Sequence, residues 1–172
     1  MIARLRAARK PLQVFLAQAA GLGDKLGVVR VQLPPSLPWE ARVANAFCKL
    51  LREDWDGPVA CEPRHASWFE APADSALAAL RISCVAADQA RHADAARPGG
   101  WRGSRGDGAR LHHRWHSSPR VYWSRYEDAW LEEQPTPLAE WPESAVRWGI
   151  FDNTAAGAAT ANALALAALT AP

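Results

Sequence analysis

Val59-Ala60-Cys61-Glu62-Pro63-Arg64-His65-Ala66-Ser67-Trp68-Phe69 passes directly from an apolar run to an acid, a guanidinium, an imidazole, a hydroxyl and an indole. An apolar run bounded by turn residues, here Asp56-Gly57-Pro58, reads as a buried strand. A buried strand that ends in ionisable groups delivers chemistry to the rim of a sheet. The alternative is a loop whose charges cluster by chance, but the same pattern recurs along the chain.

Upstream of this stretch, Pro11 to Ala20 reads as a helix with Leu12, Phe15, Leu16 and Ala19 at helical spacing. After a glycine-punctuated turn, Val28 to Leu33 reads as a strand stopped by Pro34-Pro35. Trp39 to Trp55 reads as a helix striped by Val43, Phe47, Leu50 and Leu51. Downstream, Pro72 to Leu80 predicts a short helix and Ile82 to Ala87 a buried strand ending in Asp88. Gln89 to Gly108 predicts a long loop with at least one docked contact at Trp101. Leu111 to Trp115 carries a weaker strand signal, ending in Arg114 and His116. Helical segments are expected at Tyr126 to Glu133 and about Leu138 to Val146. Arg147 to Phe151 reads as a strand running into Asp152-Asn153. A last helix is expected over about Ala155 to Leu169, with Asn153 or Thr154 available as its N-cap.

Strands that alternate with helices imply parallel pairing, and about five strands are expected. In parallel sheets ligands meet the carboxyl ends of the strands. Gln32, Glu62 with Arg64 and His65, Asp88, Arg114 with His116, and Asp152 with Asn153 all fall at such ends, so the pattern places the chemistry there.

Composition narrows the classes. The 172 residues suit one domain or a large part of one, and a net charge of +2 with histidine neutral gives no strong global attraction to nucleic acid or membrane. The apolar tail from Ala155 to Leu169, interrupted by Thr160 and Asn162, is too short to span a bilayer. Met1 to Arg6 is basic, but no apolar core with a cleavage site follows, so no signal peptide is expected. Cys48, Cys61 and Cys84 form no CxxC pair and read as reduced core thiols of a cytoplasmic protein. Nine tryptophans against two tyrosines is the compositional oddity; indoles fill cores but also stack on sugars and bases.

Glu62 and Arg64 share one face of an extended strand. They read either as a mutual ion pair or as an anion grip, Arg64, beside an acceptor or base, Glu62. His65 reads either as a proton carrier, the usual histidine role near neutral pH, or as a simply hydrogen-bonded ring, and Trp68 either stacks on a ring or plugs the sheet's end. Arg114 and His116 repeat the two-residue alternation and favour an anionic, phosphate-bearing ligand. Glu62, Asp88, His116 and Asp152 are the donors for a divalent metal, should one bind. His112 and His116 do not have helical zinc spacing, and HExxH is absent from the sequence. Pro119-Arg120-Val121-Tyr122-Trp123-Ser124-Arg125-Tyr126 interleaves aromatics with arginines, a pattern that suits base stacking plus phosphate contact or an aromatic loop packed over the fold. Nucleophile elbow, P-loop and dinucleotide glycine motifs are absent, which disfavours nucleoside triphosphates and nicotinamide cofactors.

The chain resembles the YecE-like family, domain of unknown function 72. The motifs are Leu22-Gly23-Asp24-Lys25-Leu26-Gly27, Gln32-Leu33-Pro34-Pro35-Ser36, Glu62 through Phe69, Val85-Ala86-Ala87-Asp88 and Pro98-Gly99-Gly100-Trp101. They continue with Arg114-Trp115-His116, Ser118-Pro119-Arg120, Tyr122-Trp123-Ser124-Arg125-Tyr126, and Phe151-Asp152-Asn153-Thr154-Ala155 with Asn162-Ala163. They run in family order over nearly the whole chain. The resemblance implies an α/β fold of the TIM (β/α)8-barrel type over residues 1–172. A barrel of about 250 residues is usual, so the expectation is a chain truncated to about the last five βα units, with an open edge that invites self-association. Ser117 stands where the family carries glycine.

The family has no assigned reaction. The first expectation is an enzyme acting on a phosphodiester or nucleic acid, with Glu62, His65, Asp88 and His116 as catalytic candidates. Its ligand-binding candidates are Gln32, Arg64, Trp68, Arg114, Tyr122, Tyr126 and Asn153. The others are a binding protein for nucleic acid or a phosphorylated metabolite, and an inactive remnant.

Overall fold

The structure is a computed structural model and describes residues 5, 7–90, 92–101, 103, 110–135 and 145–170. In chain order the strands are β1 (Val29–Gln32), β2 (Val59–Glu62), β3 (Ile82–Cys84), β4 (Ala86–Ala87), β5 (Gly99–Gly100), β6 (Arg110–Trp115) and β7 (Val146–Phe151). The α-helices are α1 (Arg9–Ala19), α2 (Ala41–Asp54), α3 (Ala71–Ala79), α4 (Asp128–Glu133) and α5 (Ala158–Leu169). Two compact units result: Met1–Cys84 with Gly99–Trp101, and Val85–Pro98 with Arg102–Pro172.

In the first unit β1, β2 and β3 lie parallel in that order, and β5 adds antiparallel to β3. Parallel neighbours need crossovers, and α2 and α3 supply them. Of the stripe expected in α2, Leu51 is buried and Val43, Phe47 and Leu50 are half-buried; Ala44 and Cys48 complete the buried line. Small Ala44 and Cys48 let the helix sit close. Leu51, fully buried, contributes about 1.5–3 kcal/mol. In α1 Leu16 is buried and Leu12 and Ala19 are half-buried, while Phe15, the fourth residue of the expected stripe, faces solvent. Arg52, in the last turn of α2, donates to the carbonyl oxygens of Leu80, Trp55, Gly57 and Arg81 and so ties the α2–β2 and α3–β3 turns together. Cys48, Cys61 and Cys84 are buried and unpaired, as expected of core thiols.

The strand expected over Ile82 to Ala87 is two. It breaks at Val85: β3 ladders with β2 and β5, whereas β4 ladders with β6. The Gly99–Gly100 strand that takes the edge of β3 was expected to be loop. Gly100 has φ 64, and a Cβ there would lie 2.4 Å from the Ile82 carbonyl oxygen, so glycine is what permits this pairing. The backbone N–H of Trp101 donates to that same oxygen, which is the docked contact expected for the loop.

In the second unit β4, β6 and β7 form a parallel sheet. Alternation along β6 turns Trp115 towards α4 and α5, into a core with Tyr126, Leu131, Phe151 and Leu166. Gly149 lies under Trp115; a Cβ there would come within 2.6 Å of the indole. The last helix begins at Ala158, later than expected, and its N-cap is Gly157 at φ 77 rather than Asn153 or Thr154. Asn153 makes other bonds, given below. The helix expected about Leu138 to Val146 falls mainly outside the described residues, and Val146 belongs to β7. Among the described residues no helix is long and apolar enough to cross a membrane.

Candidate functional site

In the first unit Gln32 and Glu62 are the last residues of neighbouring parallel strands and are paired in register. The Glu62 carboxylate is 1% exposed and receives two guanidiniums: Arg30 at 2.7 Å on one oxygen and Arg64 at 2.5 Å on the other. Arg30 also donates to the Gln32 side-chain oxygen at 2.8 Å. A buried carboxylate is tolerable only when paired, and here two partly exposed cations flank it. The cluster carries one positive charge more than it neutralises.

His65 has a local task. The backbone N–H of Ser67 donates to its Nδ1 at 3.3 Å. The Ser67 hydroxyl oxygen lies 2.9 Å from the same nitrogen and accepts from the Trp39 N–H. Trp68 is core: its indole N–H donates to the Leu37 carbonyl, and its ring meets Trp39 edge-on.

In the second unit the ladder runs past the strand ends. The Asp88 N–H donates to the Arg114 carbonyl and the Asp152 N–H to the Trp115 carbonyl, which fixes both carboxylates at the rim. Asp152 Oδ2 receives the Arg114 guanidinium and lies 3.0 Å from His116 Nδ1. Asp88 accepts from the Tyr126 hydroxyl and, at 2.7 Å, from the Gln89 N–H. Burial, reinforced by the bond to Asp88, pushes the Tyr126 phenol well above its usual pKa, so it keeps its proton and donates. The phenol oxygen in turn accepts from the Ser117 N–H at 2.6 Å.

Ser117 adopts φ 75, the left-handed region in which glycine is unstrained. It is the position at which the family pattern carries glycine. The serine hydroxyl donates to the Arg120 carbonyl at 2.9 Å.

Asn153 and Asn162 form a buried amide pair. Asn162 accepts from Asn153 Nδ2 at 2.8 Å and from the Tyr126 N–H, and it donates to the Tyr126 carbonyl. Asn153 also donates to the Ser124 carbonyl, while its own oxygen is buried without a hydrogen-bond partner among the described residues.

The structure therefore brings Arg114 and His116 together on Asp152, and Asp88 onto Tyr126, within one unit. It puts Gln32, Glu62 and Arg64 together in the other. Tyr126 and Trp68 are built into cores, whereas Tyr122 is exposed beside His116. Arg30 was missed by the sequence reading, although it stands two residues before Gln32 on the same strand face, the spacing used for Glu62 and Arg64. Asp152 was placed there at a strand end and weighed as a metal donor, not as the partner of Arg114 and His116. Among the described residues, no three of His, Cys, Asp and Glu gather closely enough to hold a metal ion.

The profile of a family described as protein of unknown function DUF72 matches residues 1–172. The chain belongs to the DUF72 family. No curated protein matches it. Two solved DUF72 proteins are similar in fold. One, from Thermotoga maritima, has a TM-score of 0.73 and 19% identity over 94% of this chain and 65% of its own. Another, from Enterococcus faecalis, has a TM-score of 0.71 and 19% identity over 95% of this chain and 66% of its own. This DUF72 chain thus spans about two-thirds of the length of those relatives. At such identity the likeness speaks to fold: a mixed α/β arrangement with parallel sheets.

Proposed function

We propose that this DUF72 chain acts on a phosphate-bearing ligand, as a hydrolase of the phosphodiester type, at the carboxyl ends of parallel strands in a TIM-barrel-type α/β fold. Parallel order with polar strand ends supports the fold reading. Three buried, unpaired thiols fit a cytoplasmic setting.

The observation that carries the reading is Asp152 holding Arg114 and His116 on one carboxylate oxygen. The Asp152 carboxylate oxygen lies 3.0 Å from His116 Nδ1, which sets the imidazole beside Arg114 at the strand ends. Arg114 supplies the planar guanidinium that matches phosphate oxygens. In the step, water oxygen bonds to phosphorus as the ester P–O bond breaks. His116 takes the water proton as general base and, as the conjugate acid, passes it to the leaving oxygen. The buried carbonyl oxygen of Asn153 supplies a further acceptor close to Asp152 in sequence.

A second reading is a binding protein without turnover. It is favoured by Glu62, which two guanidiniums hold as an ion-pair partner rather than as a base. A phosphodiester hydrolysis screen of the purified chain, run without metal and with magnesium, manganese or zinc, separates the two. The hydrolase reading expects turnover that His116→Ala lowers about 10²–10⁴-fold. Absence of turnover under every condition, with phosphate binding retained, selects the binder.

A further inference from the structure

We propose that the loop from His116 to Tyr126 is a base-stacking platform, so that the ligand of this site is a single-stranded nucleic acid; the inference rests on the phosphate site proposed above. Tyr122 and Trp123 are 46% and 45% exposed and belong to neither core. Tyr122 has φ 66, a costly conformation for an aromatic residue. It is held there by its N–H donating to the His116 carbonyl at 2.7 Å and its carbonyl accepting from the Ala155 N–H at 3.1 Å. The strained backbone thus keeps a water-facing ring edge-on to His116, with centroids 5.6 Å apart.

Trp123 is similarly fixed. The Arg120 guanidinium carbon sits 4.1 Å over its ring. Arg120 is anchored in turn: its N–H donates to the Ser124 hydroxyl, and its carbonyl accepts from the N–H groups of Trp123 and Ser124. A connecting loop has no need of two ordered aromatic rings in water. Rings, a stacked cation and a neighbouring phosphate site together make the arrangement that grips unpaired bases without reading their identity. In a duplex the base faces are already stacked on one another, so the occupant is single-stranded.

The test compares fluorescently labelled oligomers of about ten nucleotides, a length within the usual site size: oligothymidylate, the same backbone without bases, and a duplex. Oligothymidylate is expected to bind about tenfold or more tighter than the abasic oligomer and the duplex. Trp123→Ala and Tyr122→Ala should each remove most of that preference, and Trp123→Phe should retain it. Equal binding of oligothymidylate and abasic oligomer by the wild type, tighter binding of the duplex, or a preference that survives both alanine variants overturns the platform. Cleavage of the abasic oligomer, followed on the same samples, reports on the phosphate site by itself. Cleavage without base preference sinks the platform alone, and base preference without cleavage sinks the hydrolase reading alone.

Discussion

His116 Nδ1 and Asp152 Oδ2 lie 3.0 Å apart, and the same oxygen receives the Arg114 guanidinium. One carboxylate oxygen therefore stands against both an imidazole and a guanidinium. Asp152→Asn keeps the shape and removes the charge. The expected result is a split: turnover of a phosphodiester falls about 10²–10⁴-fold, while inorganic phosphate binds more tightly because Arg114 is no longer neutralised. Steady-state kinetics with titration calorimetry measure both. A parallel loss of turnover and phosphate affinity would mean that Asp152 only supports the fold.

Glu62 presents the reverse balance, with one buried acid between two cations. Glu62→Gln leaves Arg30 and Arg64 facing each other, partly exposed to water. Stability should fall by about 2–3 kcal/mol, the scale of charge-assisted hydrogen bonds lost. Added phosphate should restore much of it by taking the carboxylate's place. Urea denaturation with and without phosphate reads this directly; a variant as stable as wild type, or indifferent to phosphate, would refute it.

Ser117 at φ 75 offers a sharper comparison. Glycine would relieve about 1–2 kcal/mol of left-handed strain and lose one hydrogen bond worth about 1 kcal/mol. The Arg120 carbonyl keeps two backbone donors, so nothing is orphaned. Ser117→Gly should therefore stay within about 1 kcal/mol of wild type, whereas Ser117→Val, β-branched and without the hydroxyl, should cost at least about 2 kcal/mol. Equilibrium unfolding of the pair decides it.

Stability should decline at both ends of the pH scale. Burial raises the Cys48 thiol to about 11, against the pull of Arg52, and the Cys84 thiol to about 12. Their ordinary value is 9.0, so the unfolded chain ionises first. Stability from these groups is complete below pH 9 and is lost as pH rises towards 11 and 12. His113 behaves oppositely. Burial lowers its pKa below 6.5, so its contribution is present above pH 6.5 and is lost as pH falls through the lowered value. Urea midpoints across pH should show both limbs, and His113→Phe should weaken the acid one. A Cys84→Ala variant with an unchanged alkaline limb would count against the thiol assignment.

The strand-end chemistry was legible because parallel sheets leave polar residues where the chain emerges from the core. Glu62, Asp88 and Asp152 announce themselves as the first polar groups at the end of an apolar run, and Gln32 and His116 as polar groups that close strands already carrying Arg30 and Arg114. The Glu62–Arg64 ion pair was one of two readings of that stretch, but the other partners were not legible, since they arrive from distant strands. Arg30 reaches Glu62 across 32 positions and Arg114 reaches Asp152 across 38. Tyr126 and Trp68 looked like ligand surfaces because an aromatic beside charges reads the same whether it faces water or core. The break at Val85 depends on β5 claiming the edge of β3, a pairing of two glycines with no apolar signal of its own. The start of α5 was misplaced because Asn153 looks like a cap, yet its amide is engaged by Ser124 and Asn162.

Gly149 and Trp115 share a single allotment of space: one position is empty so that the other can be filled. Neither can then vary alone. Adding a side chain at Gly149 must expel the indole, and shrinking Trp115 must open a void beside Phe151 and Trp130. The two sites form a coupled pair in which the second change repairs the first, so Gly149→Ala and Trp115→Phe together should be less damaging than the sum of their separate effects.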